Sequence, residues 1–124
     1  MANNTPQTIR LLIVRHGETD HNIRGIIQGQ LDTPLNATGH AQASYVAQYL
    51  SQEHIDHVYT SPLQRAKHTA DAIVAVHPEY RDGALKYWID ERLKERFFGV
   101  REGKAWEWRK EHPDRKEGME DDRV

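Results

Sequence analysis

The almost unbroken apolar run Ile9-Arg10-Leu11-Leu12-Ile13-Val14 passes directly into Arg15-His16-Gly17, and this junction constrains the chain more than any other part of it. A short, β-branched apolar run after a polar leader is the pattern of a strand covered on both faces, as in a parallel sheet. In open α/β sheets, ligands bind beyond the carboxyl ends of the strands. Arg15 and His16 therefore stand where a site would form.

The rest of the chain is consistent with that architecture. Arg15 to Asn36 carries Gly17, Gly25, Gly29 and Pro34 and a polar cluster from Glu18 to Asn22, and reads as a long, functional connection. Ala43, Val46, Ala47 and Leu50 recur at helical spacing, which predicts an amphipathic helix between Thr38 and His54 capped by Asn36 or Thr38. Ile55 to Tyr59 reads as a second strand. Ser61-Pro62 opens a helix that turns Ala66, Thr69, Ala70, Ile73 and Val74 inward and stops at His77-Pro78. Ala84 to Ile89 is a third strand candidate, and Lys104 to Glu111 a short charged helix. Strands alternating with helices imply βαβ units, hence an α/β fold with a mostly parallel sheet.

Composition narrows the function. At 124 residues there is room for about one domain. The absence of cysteine excludes disulfides and thiolate zinc sites and points to the cytoplasm. Lys and Arg at 17 against Asp and Glu at 19 leave a net charge of -2 with no basic run, so neither nucleic acid nor an anionic membrane surface is the expected partner. No apolar run approaches the roughly 18 residues of a membrane span. Of the 36 charged residues, 15 lie between Arg101 and Val124, where Val124 alone represents Leu, Ile, Val and Phe. The expected domain is thus residues 1–112, followed by a charged, mobile tail over 113–124.

Two strand ends carry related chemistry. The first leads into Arg15-His16-Gly17, the second into Ser61-Pro62-Leu63-Gln64-Arg65. The first turn of the helix there offers free N–H groups and a partial positive charge to a phosphate, and the Arg65 side chain leans back toward that turn. Guanidinium forks match phosphate oxygens, and Gly17 allows close backbone approach. A neutral imidazole is a competent nucleophile toward phosphorus, which makes His16 the candidate phosphoryl acceptor. The plainer alternative is a polar strand end. His54-x-x-His57, with only Glu53 and Asp56 nearby, is too sparse for zinc, and Trp106 and Trp108, two residues apart, read as packing. The remaining histidines read as surface and loop residues.

The motifs resemble the histidine phosphatase superfamily, also called phosphoglycerate mutase-like, branch 1. The matching blocks are Leu12-Ile-Val-Arg-His-Gly-Glu-Thr19 with Asn22; Gln28-Gly29 with Asp32, Pro34-Leu35, Thr38-Gly39 and Gln42-Ala43; Ser61-Pro62-Leu63-Gln64-Arg65-Ala66 with Thr69-Ala70; and Leu93-Lys-Glu-Arg96 with Gly99 and Glu102-Gly103. The resemblance implies a three-layer α/β/α fold and a phosphatase acting on monoesters of small phosphorylated metabolites through a phosphohistidine on His16. It also implies that Arg15 and Arg65 hold the phosphate, that Asn22 contacts the transferring group, and that Thr19 and Gly29 shape the pocket. Glu95 would donate the proton that an alkoxide leaving group requires; without the resemblance it reads equally as a solvated charge between Lys94 and Arg96. No metal or organic cofactor is implied.

Phosphoglycerate mutases of this family have a Tyr before the glycine of the last block, where this chain has Phe98, so the look is closer to the fructose-2,6-bisphosphatase-like and broad-specificity phosphatases. The family's second catalytic histidine lies in a later block that this chain does not reach. The expectation is therefore an N-terminal part of the fold, with a phosphoglycerate mutase, or a catalytically impaired phosphate-binding fragment, as the alternatives, and with self-association through an exposed apolar sheet edge.

Overall fold

The computed structural model describes residues 7–112, apart from the side chain of Arg109; the charged tail expected from Pro113 on lies outside the described residues. The elements are α1 (Asp20–Arg24), α2 (Ala37–Leu50), β1 (His57–Thr60), α3 (Gln64–Ala75), α4 (Pro78–Arg81), β2 (Lys86–Ile89) and α5 (Trp108–Glu111), with 3-10 turns at Glu91–Leu93 and Gly99–Arg101. β1 and β2 pair in parallel, His57 opposite Lys86 through Thr60 opposite Ile89, and α3 supplies the crossover between them. The expected mixed fold with a parallel sheet is the one observed.

Helices α2 and α3 pack against each other, and α3 against β1. The inward positions of α2 are Gly39, Ala43, Ala47 and Leu50, and those of α3 include Thr69, Ala70, Ile73 and Val74, so small residues on one helix face the branched residues of the other. Ala47, Leu50 and Ile73 form the core cluster, joined by Val46 and Ile55. Fully burying each large member contributes about 1.5–3 kcal/mol. Asn36 is the α2 cap, its side chain accepting from the Gly39 amide at 2.8 Å.

Several boundaries differ from those expected. The loop from Arg15 to Asn36 contains α1, closed by a capping box in which the Thr19 hydroxyl accepts from the Asn22 amide (3.1 Å) and Asn22 Oδ1 accepts from the Thr19 amide (3.0 Å). Pro62 is not the first residue of α3; Leu63 is the cap, and the Ser61 hydroxyl accepts from its amide at 3.1 Å. The C-terminal helix is confined to Trp108–Glu111 because residues 103–106 instead pair antiparallel with 25–27. Trp106 packs edge-on to Phe98, and Trp108 stacks on His112.

His77 is not a surface residue. It is fully buried, its Nδ1 accepting from the Glu79 amide (3.1 Å) to cap α4 while Nε2–H donates to the Glu53 carbonyl (2.9 Å). His54, for its part, is an exposed residue held between Asp56 and Glu79, each at 3.0 Å.

The main departure concerns the first strand. Residues 9–14 make no strand hydrogen bonds among the described residues, and Ile9, Leu11 and Ile13 are 87%, 76% and 91% exposed. A run that is apolar on both sides is buried only when neighbours cover both, and β1 and β2 pair with each other without reaching it. Its course still follows β1: Arg10 donates to Glu53 Oε2 (3.0 Å) just before that strand, and Gly17 is tied to the helix that follows it. The segment therefore delivers His16 to the carboxyl end of the sheet.

Candidate functional site

The segment bearing His16 is fixed by backbone contacts on both sides. The Gly17 amide donates to the Thr69 hydroxyl (3.0 Å), which donates in turn to the Arg65 carbonyl (2.7 Å), so α3 holds the chain immediately after His16. On the other side the backbone crosses α2. A Cβ on Gly17 would lie 2.5 Å from the Gly39 carbonyl oxygen, and a Cβ on Gly39 would lie 2.1 Å from that of Glu18. The close approach that Gly17 permits is thus to the helix and not to a ligand, and it accounts for the glycine in the Thr38-Gly39 pair. The Glu18 amide donates to Gln42 Oε1 (2.9 Å), and the Glu18 carbonyl accepts from the Asn36 amide (3.0 Å), which locks the crossing.

His16 is half-buried, with Nδ1 2.6 Å from the Gly17 carbonyl oxygen. A carbonyl only accepts, so Nδ1 carries the proton, and the neutral ring presents the Nε2 lone pair. Burial lowers the His16 pKa below its ordinary 6.5, as do the charges of Arg65 and Arg15, against the Gly17 hydrogen bond and the charge of Glu95, which raise it. Because the folded value is depressed, His16 contributes stability above the unfolded value of 6.5, and this is lost as the pH falls through the folded value. The His16 Cε1–H resonance is expected to titrate below pH 6.5 and to move upward in Arg15→Ala. A midpoint at or above 6.5 in the parent chain would show that burial and the arginines do not govern the ring.

Arg65 is only 3% exposed, and its guanidinium is turned onto the loop. Nη1 donates to the Leu31 carbonyl (2.6 Å) and Nη2 to the Gly29 carbonyl (2.5 Å). Burial lowers its pKa, opposed by the charges of Glu95, Asp32 and Glu102. The first turn of α3 is already engaged by protein: the Gln64 amide donates to Asp32 Oδ1 at 2.7 Å. A carboxylate from the loop thus holds the helix end that the sequence reading assigned to phosphate.

The other expected residues divide by role. Thr19 is fully buried and donates from its hydroxyl to Gln28 Oε1 (2.8 Å). Asn22 is exposed, its oxygen spent on the α1 cap while its Nδ2 group has no partner among the described residues. Gly29 has φ +52°, and a Cβ there would lie 2.6 Å from Glu102 Oε2 and 2.8 Å from Phe98 Cδ2. Glu95 is exposed, with Oε1 accepting from the next amide, Arg96, at 2.8 Å. Its charge nonetheless acts on both His16 and Arg65, which places the three in one electrostatic neighbourhood.

A cavity of about 210 Å³ opens beside His16, lined by Arg15, Gly17, Gln42, Val46 and Thr69. Neither Arg65 nor Glu95 lines it. The larger recess, about 620 Å³, lies between α4 and the start of β2, at the end of the sheet remote from His16, and is bordered by Tyr80, Arg81, Leu85 and Tyr87. Asp32, Thr69 and Glu102 are the site residues to which sequence reasoning gave no role at the site; Asp32 and Glu102 were signalled only by membership in the motif blocks, and Thr69 also by its inward position on the helix.

A family profile described as the histidine phosphatase superfamily (branch 1) matches residues 11–123. Fructose-2,6-bisphosphatase TIGAR B of Danio rerio is 45% identical over 101 residues, covering 81% of this chain and 38% of the relative. Broad-specificity phosphatase YOR283W of Saccharomyces cerevisiae is 40% identical over 103 residues, covering 82% and 44%. Among solved structures, the alpha-ribazole phosphatase of Shigella flexneri superposes with a TM-score of 0.68 at 34% identity, covering 82% of this chain and 47% of the other. The chain thus spans less than half the length of these proteins. With the profile matched over most of its length and these levels of identity, the chain belongs to branch 1 of the histidine phosphatase superfamily.

Proposed function

We propose that the protein is a phosphatase that hydrolyses phosphate monoesters of small metabolites through a phosphohistidine on His16. The observation that carries this reading is the Nδ1–H bond from His16 to the Gly17 carbonyl, 2.6 Å long, which leaves Nε2 as the nucleophilic atom in a ring that burial and two arginines keep neutral. Nε2 attacks phosphorus, the P–O bond to the alcohol breaks, and Glu95 gives its proton to the departing oxygen. Water then attacks phosphorus and gives its proton to the Glu95 carboxylate; the P–N bond breaks, which returns the Nε2 lone pair and protonated Glu95 and releases phosphate. Arg15 and Arg65 hold the phosphoryl oxygens, Asn22 donates to the same group from its Nδ2–H2, and Thr19 and Gly29 keep the loop in shape. The reaction calls for no metal or organic cofactor, since the arginines supply the positive charge. The cysteine-free composition supports a cytoplasmic setting.

A phosphate-binding chain with impaired turnover is the second reading. It is favoured by the engagement of Arg65 with the Gly29 and Leu31 carbonyls and of Glu95 with its neighbouring amide. A phosphoglycerate mutase is less well supported: Phe98 brings no hydroxyl and spends its ring on Trp106 and the Gly29 turn.

Phosphate release by the 124-residue chain from an aryl phosphate, 3-phosphoglycerate and fructose 2,6-bisphosphate separates these readings. Release that disappears in His16→Ala is the expected result; release unchanged in that variant overturns the proposal, and a folded chain that binds phosphate without releasing it from esters establishes the second reading. The exposed run Ile9–Val14 also gives the chain an apolar edge for self-association. Light scattering is expected to show species heavier than the 14.4 kDa monomer, and a sharp monomer peak would remove this part of the proposal.

A further inference from the structure

We propose that Glu102 is a positioning residue that aims Arg65 by holding the Gly29–Gln30 turn; the consequence for phosphate rests on the phosphatase reading above. Glu102 is only 4% exposed, and a buried carboxylate is costly unless its oxygens are used. Its Oε2 accepts from the Gln30 amide at 3.0 Å. That amide lies between the two carbonyls, of Gly29 and Leu31, that receive the Arg65 guanidinium. The same oxygen stands 2.6 Å from where a Cβ on Gly29 would be, so the turn is pressed against the carboxylate and accommodates it only because residue 29 is glycine with a positive φ.

Glu102 is itself anchored. Its amide donates to the Gly99 carbonyl (3.1 Å), the Gly103 amide donates to the Ile27 carbonyl (2.8 Å), and the Ile27 amide donates to the Lys104 carbonyl (2.8 Å). The short antiparallel pairing of 103–106 with 25–27 thus fixes the carboxylate, the carboxylate fixes Gln30, and the two flanking carbonyls orient the guanidinium. The Glu102 charge also acts on Arg65 and helps to keep a buried cation charged. Glu102 does not line the cavity beside His16, where a carboxylate would oppose a phosphate.

Two readouts on the 124-residue chain test this. The first is hydrogen exchange of the Arg65 guanidinium Nε–H by NMR, and the second is inorganic phosphate affinity by titration calorimetry. Glu102→Gln keeps an oxygen for the Gln30 amide and is expected to preserve Arg65 protection, with phosphate affinity within about threefold. Glu102→Ala removes the acceptor and is expected to speed Arg65 exchange at least tenfold and to weaken phosphate about tenfold at unchanged near-UV circular dichroism. Should Glu102→Ala fail to fold, Glu102→Asp, which withdraws the carboxylate by one methylene, takes its place with the same expected loss. Arg65 protection equal to the parent in whichever folded variant is used overturns the proposal. If the parent chain binds no phosphate while Arg65 loosens in Glu102→Ala, the positioning role stands and the phosphatase reading fails.

Discussion

Gly39→Ala is expected to lower the unfolding midpoint by roughly 12–24 °C, the shift that about 3 kcal/mol of overpacking produces in a domain of this size. Helix propensity alone predicts the opposite sign, because alanine is favoured over glycine in a helix interior by about 1 kcal/mol. The steric term wins because the atoms met are backbone. The new Cβ would lie 2.1 Å from the Glu18 carbonyl oxygen and 2.9 Å from its nitrogen, and neither can swing away as a side-chain tip could. Gly83→Ala is the matched control. It lies at φ +86° with nothing within 4 Å of its Cβ, so only backbone strain of about 1–2 kcal/mol applies. Thermal melts in which Gly39→Ala matches or exceeds the parent would show that the two segments do not cross as described.

Arg65→Lys is expected to cost about 2–4 kcal/mol in urea unfolding, although the charge is kept. The guanidinium spans two carbonyls of one loop, Gly29 and Leu31, with separate nitrogens, and each charged hydrogen bond contributes about 1.5–3 kcal/mol. A lysine ammonium is a single point on a flexible stem and cannot bridge both, which leaves a buried carbonyl unpaired. By contrast, Lys67→Met removes an i,i+4 partner of Asp71 at 3.0 Å on a partly exposed face and is expected to cost about 0.5 kcal/mol. An Arg65→Lys midpoint within experimental error of the parent would mean that the loop does not depend on the fork.

Much of this arrangement is legible in the sequence where chemistry is local. The passage from an apolar run into Arg15-His16-Gly17 marks residues that line a cavity, and the i, i+3, i+4 spacing locates the packed faces of α2 and α3. What the sequence leaves hidden are partnerships across long separations. Asp32 capping α3 spans 32 residues, Gly17 to Thr69 spans 52, and Glu102 to Gln30 spans 72. No periodicity encodes these, and the helix end offered to phosphate was read as free because its partner lies in a loop far upstream. His77 was misplaced for the same reason: its burial comes from Glu53, 24 residues away. The run Ile9–Val14 shows the converse error. Apolar character states what a segment can bury, while burial requires neighbours that the segment does not itself supply.

One hydroxyl has a further consequence. Thr69 Oγ1 ties the main chain beside His16 to the same helix, one turn along, from which Arg65 projects. The His16 segment and the Arg65 side chain thus share a single reference frame. When α3 shifts as a body, both travel with it, and so does the 29–32 loop that Arg65 and Gln64 hold; Gln30 of that loop donates from Nε2 to the Glu95 carbonyl (3.3 Å) and carries the Glu95 segment along. Sequence changes that displace α3 should therefore move this set as one body, whereas loss of the Gln30 side chain alone would uncouple the Glu95 segment from it.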